Sequence, residues 1–340
     1  MKNLICKIFG RKKQTKINID WKNIQSILIR PIGTGIGDAV VLSSLIGQLK
    51  QTYPNCKIGV LTTDRNNFIF THTPGVDICL EDKPSTYFLQ SKKWQVFLDY
   101  RPTFTTKNII CDYFLAPFYT ICFEKTAKKH YSSNTIHNYD FYIPKLAAAH
   151  LSESLTLTPF AKYINAENPN YNLTVPTKEQ IKTVHKWLAN NKLNILICPL
   201  GSDKILDKTL LTQVINELEK EYSLNFILPL EEQRFPLTAK TITYTGKMAL
   251  ETFIALCHQV DFIITVDTST VHIACAYKKP FVSIYSGYDE GFALFHPLKH
   301  DNVYIVRSAT KSDKPVQKID NWQVEEVIKY SKMYLSKLKR

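Results

Sequence analysis

Ser26-Ile-Leu-Ile-Arg30 runs into Pro31-Ile-Gly-Thr-Gly-Ile-Gly37 and then into Asp38-Ala-Val-Val-Leu-Ser-Ser-Leu-Ile-Gly-Gln-Leu-Lys50. The first piece is a short apolar run, the second a glycine-rich turn, and the third spaces its apolar residues for a helix. Two further strand-like runs follow, Lys57-Ile-Gly-Val-Leu61 and Trp94-Gln-Val-Phe-Leu-Asp99. Strands that alternate with helices build a parallel, doubly wound sheet, so the chain reads as α/β.

A second cycle opens after Asn168-Pro-Asn170. Helices are expected over 177–190, 210–221, 250–259 and from near Thr268, with strands at 194–198, 225–228, 261–266 and 281–285. Two domains result, 1–170 and 171–320, followed over 321–340 by an amphipathic helix with a basic face. No internal sequence repeat is evident. Ligands of open parallel sheets bind beyond the carboxyl ends of the strands, which directs attention to the loops after Arg30, Cys198 and Val266.

The 340 residues are 44% hydrophobic and 12% aromatic, enough for two cored domains and incompatible with wholesale disorder. Apolar runs such as that ending at Val266 fall far short of the roughly 18 residues that span a bilayer. The first ten residues lack a signal-peptide pattern, and a cytoplasmic location is expected. The eight cysteines form no CxxC pair and read as ordinary thiols.

The net charge is +13, but it is unevenly placed. Residues 1–16 hold six basic residues and 329–340 hold five, neither segment containing an acid, so the rest of the chain is nearly balanced. That distribution argues against a nucleic-acid surface and for two ends attracted to an anionic membrane or polyanion.

Four segments carry chemistry. In the turn of Gly33, Gly35 and Gly37, Asp38 stands where a dinucleotide fingerprint needs its third glycine, and no P-loop lysine follows. Asp38 either caps its helix or acts as a base. In Asp267-Thr-Ser-Thr-Val-His272, at a strand-to-helix junction, Asp267, Thr268 and Ser269 can cap the helix. Thr270 and the free first-turn N–H groups make the junction an anion site. His272 either reaches a phosphate or packs. Lys204, on the loop after Cys198, can offer a cation to a diphosphate or be merely solvated. Glu251, early in a helix after Gly246, can accept ribose hydroxyls or simply favour the helix N-terminus.

In this order and spacing the segments resemble the ADP-heptose:lipopolysaccharide heptosyltransferases of glycosyltransferase family 9. In that family a strand ends in Arg, a Gly-Asp turn opens the first helix and an Asp-Thr-Gly-x-x-His motif follows a late strand. Here these are Arg30, Gly37-Asp38 and Asp267-Thr-Ser-Thr-Val-His272, with agreement over about residues 24–62 and 195–287. Ser269 departs from the family's glycine, and a side chain there would narrow the donor pocket or add a hydroxyl.

The resemblance implies a GT-B fold, two Rossmann-like doubly wound domains facing a central cleft. The N-terminal domain would bind the acceptor and the C-terminal one the nucleotide sugar, with the last helix packing back on the N-terminal domain. It implies an inverting, metal-independent transfer of heptose from ADP-heptose to a lipopolysaccharide inner-core acceptor. Asp38 would be the general base. Lys204 and Thr268–His272 would hold the diphosphate, Glu251 the ribose, and Asp267 the motif and donor sugar. No cofactor, no metal and no nucleic acid would be required, and the enzyme would sit at the inner face of the bacterial inner membrane. The loops near 64–75 and 101–137, with Arg101, Lys128, Lys129, His130 and His137, are expected to meet the acceptor.

Three other readings compete. A family 9-like enzyme would use another nucleotide sugar for surface polysaccharide. An NAD-dependent oxidoreductase would use the glycine turn and Asp64, and a polyanion-binding protein would rest on the charge.

Overall fold

The computed structural model describes residues 2–13, 18–165 and 169–338. They form two compact units, Met1–Leu173 and Thr174–Arg340. In the first, α1 (Lys2–Phe9), β1 (Ser26–Arg30), α2 (Ile36–Thr52), β2 (Lys57–Thr62), α3 (Asn67–Thr71), β3 (Ile78–Glu81), α4 (Pro84–Leu89), β4 (Val96–Asp99), α5 (Thr106–Leu115), β5 (Tyr119–Phe123) and β6 (Phe141–Ile143) follow in turn. The second contains α6 (Lys178–Val184), β7 (Leu193–Cys198), β8 (Ile205–Leu206), α7 (Lys208–Leu218), β9 (Leu224–Leu228), β10 (Ile242–Tyr244), α8 (Leu250–Gln259), β11 (Phe262–Val266), α9 (Ser269–Ala276), β12 (Phe281–Tyr288), α10 (Asp289–Phe295), β13 (Val303–Ser312), β14 (Lys318–Ile319) and α11 (Val324–Leu338).

Each unit holds a six-stranded sheet, ordered β3-β2-β1-β4-β5-β6 in one and β10-β9-β7-β11-β12-β13 in the other. All strand pairs in both sheets are parallel. The two orders are the same doubly wound topology, and in each the winding reverses between two central strands, β1 and β4 or β7 and β11. At such a point the helices leave on opposite faces and a crevice opens at the carboxyl edge.

Central strands covered on both faces must be apolar throughout, and Ile27, Leu28 and Ile29 of β1 and Phe262–Val266 of β11 are fully buried. Burying each such side chain stabilises by roughly 1.5–3 kcal/mol. Helix α2 is apolar nearly all round because the sheet covers one side and the 3₁₀ segment Leu151–Leu157 the other, where Gln48 Nε2 donates to the Ser152 carbonyl. The helix expected over 177–190 is shorter: α6 tightens into a 3₁₀ turn at His185–Trp187, and the Ala189 amide donates to Asn194 Oδ1.

The final helix, α11, is amphipathic, as its sequence spacing predicts. Val324, Val327 and Leu335 lie on one face and enter the core of the second unit, packed on α7 and the β12–β13 edge. Lys332 is also engaged, by Glu221 at 2.5 Å and Glu217 at 3.9 Å. Lys16, Lys339 and Arg340, counted above among the basic ends, lie outside the described residues. No described helix is long and apolar enough to cross a membrane.

Candidate active site

The register of β1 against β4 sets Arg30 beside Asp99 at the carboxyl edge of the first sheet. Arg30 is buried and makes two forked ion pairs. Nε and Nη2 donate to Asp99 at 2.8 and 2.5 Å, and Nη1 and Nη2 to Asp112 of α5 at 2.6 and 2.9 Å. Lys125 Nζ reaches Asp99 at 2.8 Å and also donates to the Arg101 carbonyl. Two cations thus neutralise two carboxylates in the dry interior. Burial works against the Asp99 carboxylate, but Arg30 and Lys125 outweigh it and hold its pKa below the ordinary range. Arg30 therefore anchors the strand end from which the glycine turn departs.

Above that anchor, Gly35 precedes α2 and Asp38 lies in its first turn, the carboxylate folded back over the glycines. A Cβ built on Gly33 would stand 2.6 Å from Asp38 Oδ2, and one on Gly35 2.8 Å from the same atom. The glycines clear the space this carboxylate occupies. Buried Asn66 steadies the turn from the next loop, accepting from the Thr63 amide at 2.8 Å and donating to the Gly33 carbonyl at 3.4 Å. An anionic carboxylate over the turn opposes a pyrophosphate there, which removes the physical basis of the dinucleotide reading.

At the switch point of the second sheet, β7 and β11 are neighbours, Cys198 opposite Thr265, so their loops leave side by side. The loop after β7 closes on itself, the Gly201 amide donating to the Lys204 carbonyl at 2.7 Å. It is held from below by β14, which pairs with β8 directly after Lys204. Lys204 Nζ stands 3.3 Å from Asp267 Oδ2 and 3.4 Å from Asp203. Burial pushes the Asp267 pKa up against the pull of Lys204. For Lys204 burial acts downward, but Asp267 and Asp203 prevail and raise it. The residues beside this pair, Thr268 and Ser269, open α9, so the positive end of the helix dipole adjoins the ammonium. A Cβ on Gly201 would lie 3.5 Å from Thr268 Cβ, which brings the two loops into contact.

The structure thus brings Lys204, Asp267, Thr268 and the α9 start together. Ser269 and Thr270 stand in the first turn of α9, Thr270 buried with Cys198 below it. Ser269 is not among the described residues with positive φ, so its backbone does not require glycine. His272 is buried, one turn into α9, its ring 6.5 Å from that of Phe295. Glu251 is exposed in the first turn of α8, a helix packed on α9. Asp38 belongs to the other unit. Of the residues expected at the acceptor, Lys128, Lys129, His130 and His137 are exposed, whereas Arg101 is paired with Asp82 at 2.6 Å.

Sequence reading missed Asp99, Asp112, Lys125 and Asn66. Asp99 had left a trace, a carboxylate closing an otherwise apolar strand. All eight cysteines are free thiols, six of them buried. No group of three His, Cys, Asp or Glu side chains among the described residues is placed to hold a metal ion.

A sequence model of the family described as glycosyltransferase family 9 (heptosyltransferase) matches residues 230–323. Over that segment the chain is similar to glycosyltransferase family 9. It is 26% identical over 303 residues, 83% of its length and 80% of the other's, to an Escherichia coli (strain K12) protein named "Putative lipopolysaccharide heptosyltransferase 4". Among solved structures, the glycosyl transferase family 9 protein from Veillonella parvula DSM 2008 superposes with a TM-score of 0.72 at 12% identity, over 95% of this chain and 100% of that one. E. coli ADP-heptose lps heptosyltransferase II gives 0.72 at 15% identity, over 93% and 100%. These likenesses show the fold, which is of the GT-B type. The matched segment contains Glu251 and the whole turn from Asp267 to His272. Asp38 and Lys204 lie outside it.

Proposed function

We propose that this enzyme transfers heptose from ADP-heptose to a lipopolysaccharide or lipooligosaccharide inner-core acceptor, with inversion and without a metal ion. The observation that carries the reading is the Lys204 ammonium, held by Asp267 beside the N-terminus of α9 at a sheet switch point. In this reading Lys204, Thr268, Ser269, Thr270 and His272 receive the diphosphate, Glu251 the ribose, and Asp267 orients Lys204 and the donor sugar. Asp38 takes the proton of the acceptor hydroxyl as its oxygen bonds to C1. The bond from C1 to the phosphate oxygen breaks, and ADP leaves carrying the electron pair. Lys204 and the helix amides stabilise that charge in the role a metal ion plays elsewhere. The names of the E. coli relatives, which refer to ADP-heptose and to lipopolysaccharide, support the choice of donor and acceptor. Such an acceptor is lipid-anchored, so the enzyme works from the cytoplasm at the inner face of the inner membrane.

The test is ADP release and mass gain of one heptose on a heptose-less core acceptor, with the anomer read by NMR and chelator present throughout. Turnover that leaves Asp38→Ala fully active overturns the base assignment. Turnover with another nucleotide sugar but none with ADP-heptose keeps the family and refutes the donor, the outcome Ser269 would then explain.

A further inference from the structure

Helix α1 has two apolar sides. Ile5, Cys6 and Phe9 pack inward on the small core of Phe104, Ile109, Cys122, Tyr131 and Ile136. Leu4 and Ile8, one helical turn apart, point outward and are 58% and 47% exposed. The apolar surface continues across two neighbouring helices. Phe9 meets Phe114 of α5 at 6.3 Å between ring centroids, Phe114 meets Phe88 of α4 at 5.8 Å, and Phe88 and Leu89 are 65% and 66% exposed. Large apolar side chains exposed on adjoining helices mark an interaction surface rather than scattered chance.

The strip is edged by positive charge. Lys2, Lys7, Arg11 and Lys13 are exposed, and Lys92 and Lys93 follow α4. None of the six forms an ion pair among the described residues. Lys13 instead lies over the rings of Tyr113 and Phe114, at 5.4 and 5.9 Å. The nearby acids are engaged already: Glu81 by Lys83, Asp82 by Arg101, Asp112 by Arg30 and Asp140 by Lys12. The strip therefore faces outward with uncompensated positive charge around exposed leucine, isoleucine and phenylalanine. This is the pattern of an element lying in a lipid interface, apolar residues among the acyl chains and cations at the headgroups. A second copy of the chain would bring like charge against like charge.

We propose that the α1–α4–α5 face of the first unit docks on an anionic lipid bilayer, and that α11 does not take part. The biological use of this face rests on the lipid-anchored acceptor proposed above, but its binding to lipid is measured without either substrate. The full chain is sedimented with phosphatidylcholine vesicles containing about one-third phosphatidylglycerol, and with phosphatidylcholine alone. Binding is expected to the anionic vesicles only and to weaken with salt. Lys7→Gln, Arg11→Gln and Lys13→Gln together should weaken it about 100-fold, at roughly fivefold per basic residue. Leu4→Ser with Ile8→Ser, and Phe88→Ser with Leu89→Ser, should each weaken it about tenfold. Lys329→Gln with Lys337→Gln should leave it unchanged. Circular dichroism and thermal midpoint establish that each variant is folded, and turnover on a short soluble acceptor should persist in all of them. No binding to anionic vesicles, equal binding by the variants, or loss only in the α11 variant overturns the proposal. So does a dimer, seen by light scattering, that Leu4→Ser with Ile8→Ser abolishes.

Discussion

Replacing Gly33 by alanine separates the position of the Asp38 carboxylate from the integrity of the fold. The new Cβ would stand 2.6 Å from Asp38 Oδ2, whereas ordinary contact begins at 3.4 Å, so the carboxylate must retreat by about 0.8 Å. The atom in the way is the end of a side chain, which can swing. Gly33 is also not among the glycines of positive φ, so alanine suits the backbone. Stability should hold or rise by about 0.4–1 kcal/mol, because alanine narrows the unfolded ensemble. Catalysis should not hold, since a misplacement near 1 Å costs on the order of 100-fold in rate. The expected result is kcat lowered about 100-fold, a thermal midpoint held or raised and an ADP Kd within about twofold of the parent, by coupled ADP-release assay, thermal melt and calorimetry. Gly35→Ala, where the Cβ would lie 2.8 Å away, should be milder. Asp38→Ala sets the floor for both. A Gly33→Ala enzyme with kcat within about threefold of the parent would refute the idea that these glycines make room for a catalytic carboxylate. A kcat below that of Asp38→Ala would show that the turn acts by some other route.

Three further perturbations test the remaining parts. Lys204→Met should weaken ADP binding and lower kcat/KM by about 100-fold with little change in melting, and unaltered ADP affinity by calorimetry would remove Lys204 from the diphosphate site. Arg30→Met leaves Asp99 and Asp112 buried with only Lys125 to balance them, and should cost about 3–5 kcal/mol in urea unfolding, against less than about 1 kcal/mol if the pair is dispensable. Asp207 caps α7, its carboxylate accepting from the Thr209 and Leu210 amides. Despite some opposing burial, those bonds and Lys318 hold its pKa below the ordinary value. A depressed native pKa stabilises above the unfolded value near 4 and is lost as pH falls through the native one. Asp207→Ala should therefore cost about 1 kcal/mol at pH 7 and distinctly less at about pH 3, and an equal cost at both would contradict the charge-based account.

What the sequence by itself determined was the set of local elements and their chemistry. Apolar runs of strand length, glycines between Arg30 and Asp38, and helix-period leucines announce parallel α/β units, because backbone preference and burial periodicity act over a few residues. The turn of Asp267 to His272 was legible for the same reason: an acid, hydroxyls and a helix start lie consecutively in the chain. What only the tertiary structure decided were relations across long separations. Arg30 meets Asp99 and Asp112, 69 and 82 residues away, because β1 pairs with β4 and α5 crosses beneath. Lys204 meets Asp267 because β7 and β11 are neighbours in a sheet whose strand order is not the chain order. The last helix illustrates the limit. Its amphipathic pattern was plain in the sequence, yet a stripe of valine and leucine does not name its partner. Only the packed sheet and α7 beside it decide which core it completes.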